Sequence, residues 1–214
     1  MNLTKKVLTT AIASTVLATS AVVSVSAQAE VAASIAIANT YLWRGYDLGD
    51  GDAMVSGDVS ISSGGAHAGI WVASGDSAMG QEYDLWVGYG GETGSLSYDL
   101  SLWTYSYPSA TDDTGLDISL EPGDLTEAVL SLGYGAFSLG YYDNIAGGSG
   151  YTYTTLGASA GDFSLMYGSH KDGIEHIDIS YSVGDITLTA STVTDDPLDG
   201  PTDTHFVISY GLPL

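Results

Sequence analysis

The amino-acid sequence predicts an all-β fold: a closed antiparallel transmembrane β-barrel of about twelve strands behind an N-terminal export signal. Three observations carry that reading. Short segments alternate bulky apolar with small polar residues, as in Leu96-Ser97-Tyr98-Asp99-Leu100-Ser101-Leu102 and Phe163-Ser164-Leu165-Met166-Tyr167. Successive side chains of a strand point to opposite faces, so each segment has one lipid-compatible and one water-compatible face. The joints between segments alternate short and long, the pattern of tight periplasmic turns and longer outer loops. The chain also opens on a cleavable leader, which sends the rest out of the cytoplasm.

The leader comes first. Lys5 and Lys6 form its charged start, an apolar stretch runs from Val7 to Val25, and Ala27-Gln28-Ala29 offers an Ala-x-Ala cleavage site. This divides the chain into a signal peptide over 1–29 and a barrel over 30–214. No other run approaches the roughly 18 apolar residues of a spanning helix.

The alternation then places strands at 33–44, 53–62, 66–75, 81–90, 95–107, 125–135, 136–144, 151–161, 162–170, 174–184, 185–194 and 203–213. Short joints such as Ser63-Gly64-Gly65, Gly135-Ala136, Gly161-Asp162 and Gly184-Asp185 carry the residues that suit hairpin turns with positive φ. The long joints fall at 45–52, 75–80, 108–124, 144–150 and 195–202, with a shorter one at 171–173. They hold much of the acid, including Asp112, Asp113, Asp195, Asp196 and Asp199. Lipid-facing positions follow from parity and include Leu100, Leu130, Phe137, Leu165, Ile179, Leu188 and Ile208. Many tyrosines fall near strand ends, where aromatic girdles sit. The segments 66–75 and 151–161 show no decisive face, and Asn39 falls on the apolar face of the first strand.

Composition narrows the function. The chain has four Lys and Arg against 26 Asp and Glu, a net charge of −22. Lys5 and Lys6 belong to the leader, which leaves Arg44 and Lys171 as the permanent cations of the barrel segment. Such a chain lacks the basic footprint of a nucleic-acid binder and should concentrate cations. There is no Cys, so disulfides and thiol chemistry are excluded.

By parity the ionisable residues facing inward include Asp58, Asp84, Asp99, Glu127 and Asp178, with Arg44 as the strong cation of the barrel wall and a counterion for the acids. His170, His176 and His205 join them, and Trp71, Trp86 and Trp103 are candidates to point inward. Acids lining a narrow aqueous path attract cations; the competing reading is a filled barrel whose inner groups satisfy one another. Asp47-Leu48-Gly49-Asp50-Gly51-Asp52 looks like a fragment of a calcium loop but lacks the downstream acid. Ser77 is not set in a Gly-x-Ser-x-Gly elbow, and the histidines lack metal-binding spacing. No metal, cofactor or catalytic activity is expected.

One stretch carries a family likeness. Ala38-Asn39-Thr40-Tyr41-Leu42-Trp43-Arg44-Gly45 is followed by an acidic loop, then Ala53-Met54-Val55-Ser56-Gly57, then Ala68-Gly69-Ile70-Trp71-Val72-Ala73-Ser74-Gly75-Asp76. This resembles the TorF family of porin-like proteins of proteobacterial outer membranes, specifically over about 33–90 and in strand rhythm beyond. The resemblance implies an outer-membrane porin. One departure is the end, Tyr210-Gly211-Leu212-Pro213-Leu214, where such barrels commonly finish on an aromatic residue. The expected function is an outer-membrane channel for passive diffusion of small cations or polar solutes, contacting membrane lipid. The alternatives are a closed structural or adhesion barrel with acidic surface loops and, more remotely, an outer-membrane lipid hydrolase.

Overall fold

The computed structural model describes residues 29–112, 114–148, 150–197, 200 and 202–214. The expected export signal lies outside these residues apart from Ala29, as do Asp113 and Asp199. The strands are β1 (Glu30–Ala38), β2 (Leu42–Trp43), β3 (Tyr46–Asp47), β4 (Met54–Ser63), β5 (Ala66–Asp76), β6 (Gly80–Thr93) and β7 (Leu96–Tyr107). They continue as β8 (Leu120–Tyr134), β9 (Phe137–Ala146), β10 (Thr152–Ala160), β11 (Phe163–His170), β12 (Glu175–Val183), β13 (Ile186–Asp195) and β14 (Thr204–Pro213).

Twelve of them, β1 and β4 to β14, form one closed antiparallel barrel in which each strand pairs with its neighbour in sequence. β1 closes the ring, pairing with β4 on one side and β14 on the other. The Gly-bearing turns after β4, β7's predecessor β6, β8, β10 and β12 lie at one end, and the longer loops lie at the other. Gly64, Gly94, Gly135, Gly161 and Gly184 all adopt positive φ in those short turns, which a side chain with a Cβ resists.

The two faces of the wall differ as the alternation predicts. Leu100 is 59% exposed on the outside, Ile179 54% and Ile208 59%, while Ser101 and Ser191 on the inside are 5% and 0% exposed. Large apolar side chains are exposed on the outer face of every barrel strand. A band of that extent is rare on a water-soluble monomer and fits an outer-membrane barrel protein. The two ambiguous segments also resolve. In β5, Trp71 points in and Ile70 out; in β10, Tyr153 points in and Leu156 out.

The main difference from the sequence reading lies at 33–44. The barrel strand stops at Ala38, and 42–47 form a separate hairpin, β2–β3, with Leu42 opposite Asp47 and Trp43 opposite Tyr46. Its two central residues, Arg44 and Gly45, have φ of 47° and 90°, as a two-residue turn matching the twist of its strands requires. Asn39 explains the break. Its side-chain amide donates to the Phe206 carbonyl at 3.0 Å and its Oδ1 accepts from the Ile208 amide at 2.7 Å. An outward polar side chain thus serves backbone groups of β14, and the chain leaves the sheet.

Candidate functional site in the barrel lumen

The hairpin does not rise into solvent; it folds into the lumen at the long-loop end. Its base packs on the near wall. Tyr41 and Leu42 are 4% and 1% exposed among Ala38, Met54, Trp71, Ala73 and Val207, with Trp43 and Leu48 against them. The loop that follows is fixed by Asp47, whose carboxylate accepts from the Thr40 hydroxyl and from the amides of Gly49 and Gly51, each at 3.0 Å. Asp47 therefore serves its own turn, and the likeness of 47–52 to a calcium loop ends there. No group of acids and histidines fit to hold a metal ion occurs among the described residues.

The tip crosses to the far wall. Arg44 is 5% exposed, and its Nη1 and Nη2 donate to Oε1 and Oε2 of Glu127 on β8 at 3.0 and 2.6 Å. Charge-assisted bonds in a bidentate fork are the strongest that side chains make. The guanidinium carbon lies 4.6 Å from the Trp43 ring centroid, 4.7 Å from those of Tyr142 and Tyr153, and 5.5 Å from that of Tyr151. All four distances fall within cation–π range. Tyr105 donates to Oε2 of Glu127 at 2.8 Å, which orients the carboxylate from the other side.

The backbone of the tip is held as well. Nε2 of His170 donates to the Arg44 carbonyl at 2.9 Å, so its Nδ1 accepts from Tyr151 Oη, 2.8 Å away. A Cβ at Gly45 would overlap His176, whose ring lies beneath the turn. His176 bridges Tyr153, at 2.7 Å from Nε2, and Asp178, at 3.0 Å from Nδ1, and Ser191 donates to Asp178 at 2.5 Å. The Tyr153 and His176 rings are stacked with 3° between their planes.

A second polar group sits between hairpin and near wall. Tyr41 donates to Glu82 at 2.5 Å, and Asp84, 1% exposed, lies beside it with an Oδ1 that has no hydrogen-bond partner among the described residues.

The short-turn half of the lumen is different. Many of its inward positions are small: Ser60, Ser62, Ser131, Ser138, Ser159, Ser164, Ser180 and Ser182 are exposed or half-buried. Asp58 there accepts from Ser34, and Asp99 pairs with His67, whose ring lies 5.2 Å from Trp86. Trp86 and Trp103 stack at 5.3 Å.

The six candidate residues thus face the lumen at three levels and form no single ring. Arg44 is corrected: it stands on the hairpin tip, because the strand that would have carried it to the wall ends at Ala38. It does act as counterion to an inner acid, Glu127. Asp84 and Glu127 lie near the hairpin, Asp178 beneath it, and Asp58 and Asp99 in the serine-lined half. The sequence reading missed Glu82, which shares parity with Asp84, and the tyrosines around Arg44. Tyr105, Tyr142 and Tyr153 lie on the inner parity of their strands, and that signal was available.

Comparison with known proteins adds the family. Residues 23–199 match the family described as "Bacterial protein of unknown function (Gcw_chp)". The chain belongs to the Gcw_chp family. The match takes in the hairpin and the wall residues that grip Arg44, among them Glu127, Tyr142, Tyr153 and His170. No curated protein matches the sequence. Among solved structures, the outer membrane protease OmpT from Escherichia coli aligns over 86% of this Gcw_chp chain and 92% of its own, at 12% identity and a TM-score of 0.16.

Proposed function

We propose that this protein is an outer-membrane channel for small cations or polar solutes, closed at rest by the hairpin and opened by its withdrawal. The observation that carries this reading is the way the lumen is filled. A loop enters among the inward aromatics of the wall, and its tip is fastened by polar contacts to Glu127 and His170. The short-turn half of the lumen carries many serines beside Asp58, Asp99, His67 and the Trp86–Trp103 stack, a polar lining that suits a hydrated path. The apolar outer band supports membrane residence.

The acid excess supports cation preference. At the long-loop mouth, Asp112 is held below the usual carboxylate range by the Thr114 hydroxyl and the Leu116 amide, and Asp117 by Ser119. Both stay charged wherever an ordinary carboxylate does. The reading includes no catalysis; the Ser77 hydroxyl donates to the Leu48 carbonyl at 2.9 Å.

Planar-bilayer recording tests the proposal. Wild-type protein should give rare, brief openings, and Arg44→Ala, which frees the tip, should give a steady conductance. Silence from both proteins would overturn the channel and leave the closed structural barrel, for which the buried ion pair is the supporting observation.

A further inference from the structure

The surroundings of Arg44 are those of a ligand. A planar cation is gripped at its edge by a bidentate carboxylate and covered on its faces by aromatic rings. Of those rings, only Trp43 travels with the hairpin. Tyr142 and Tyr153 belong to the wall, Tyr151 precedes β10, and Glu127 with its supporting Tyr105 belongs to the wall too. The receptor half is therefore complete without the hairpin.

We propose that Glu127, Tyr105, Tyr142, Tyr151 and Tyr153 form a binding site for solutes bearing a guanidinium group, and that Arg44 occupies it as a tethered ligand until a free one displaces it. The inference rests on the channel reading above and names its solute class. Three features favour it over a purely structural plug. First, a stopper needs no charge; an apolar tip of similar volume would fill the space without the cost of desolvating an ion pair. Second, Arg44 sits at φ 47°, a conformation unfavourable for a residue with a Cβ, so the turn presents the side chain head-first at a backbone cost. Third, the barrel segment keeps two permanent cations against 26 acids, so its field gathers mobile cations at the mouth of this site.

The chemistry also selects the class. Two parallel N–H···O bonds, at 3.0 and 2.6 Å, require a planar fork, which an alkylammonium lacks. The stacked rings require positive charge, which urea lacks.

The test uses Arg44→Ala, which empties the site, with methylguanidinium as the probe. Calorimetric titration in detergent should show saturable binding to Arg44→Ala. Binding should be weaker by about tenfold or more for wild type, where Arg44 competes, and for Arg44→Ala/Glu127→Gln. Urea and tetramethylammonium should bind neither variant measurably. If Arg44→Ala does not fold unaided, its refolding yield with methylguanidinium against urea reads the same site. Absence of saturable binding, or equal binding with and without Glu127, overturns the inference. Wild-type conductance, recorded in parallel, should rise with methylguanidinium. Conductance of Arg44→Ala without binding sinks the tethered ligand alone; binding without any conductance sinks the channel alone.

Discussion

His170 and Arg44 stand 126 positions apart in the chain, yet Nε2 of one donates to the backbone oxygen of the other at 2.9 Å. The same arginine is gripped at its far end by Glu127 at 2.6 Å. Main chain and side chain of one residue are thus fixed by two different strands.

The ion pair should behave as a unit. Glu127→Gln leaves a buried guanidinium without its counter-charge and should cost about 3–5 kcal/mol of barrel stability. Adding Arg44→Met to that variant should recover much of the loss. Urea titration in detergent checks both, and equal instability of the single and double variants would contradict the pairing.

Arginine scanning should separate the faces. Ile179→Arg puts a charge on the apolar band near mid-strand and should cost about 2–4 kcal/mol. Ser180→Arg, whose side chain faces the serine-lined lumen beside Thr189 at 2.9 Å, should be mild. Ser101 is a poor control, because it accepts from the Trp103 indole at 3.1 Å and is 5% exposed. Equal damage at Ile179 and Ser180 would argue against a membrane-facing surface.

Gly168 tests the packing beneath the hairpin. A Cβ there would overlap Nε2 of His176 and the hydroxyl of Tyr153. Gly168→Ala should separate that pair, cost about 1–3 kcal/mol and loosen the hairpin above it. A raised open probability beside the lowered stability is the expected result.

Topology is checked by tags. Insertions after Asp112 or Asp196, in the long loops, should be labelled on intact cells. One after Gly94, in a short turn, should need a permeabilised membrane. Surface labelling at Gly94 would reverse the orientation.

Selectivity follows from the acid excess. Reversal potentials of Arg44→Ala in a salt gradient should show cation preference, strongest in dilute salt, because the screening length falls from about 30 Å at 0.01 M to about 10 Å at 0.1 M. Asp99→Asn and Asp178→Asn together should reduce it more than Asp112→Asn, whose carboxylate lies in a long loop outside the barrel wall and is held there by Thr114 and Leu116. Anion preference would overturn the charge argument.

The twelve wall strands were legible because their signal is local. Alternation such as Leu96 to Leu102 repeats within each strand, and Gly-bearing turns mark where it resets. The hairpin was not legible, because Tyr41-Leu42-Trp43-Arg44 continues an aromatic strand with no obvious breaker. Arg44 and Gly45 lack the Asn or Asp that usually announces such a turn. What decides the matter is distant: Ile208 gives Asn39 its partner, and Glu127 gives Arg44 its own. Facing could be read for Asp84, Asp99 and Asp178, but their sorting into separate levels depends on cross-strand register, which one sequence does not encode locally.

The hairpin springs from the junction of β1 and β4, and its tip is held half-way round the ring, on β8 and β11. The tip is therefore made early and its socket late, with 83 positions between Arg44 and Glu127. Contacts of such separation form slowly, since the intervening chain must first be ordered. Assembly then has a direction: Arg44 can meet Glu127 only after β8 is made and His170 only after β11 is made. A chain that stalls before β11 would lack the His170 hold on the tip, so the fully fastened hairpin doubles as a mark of completed maturation.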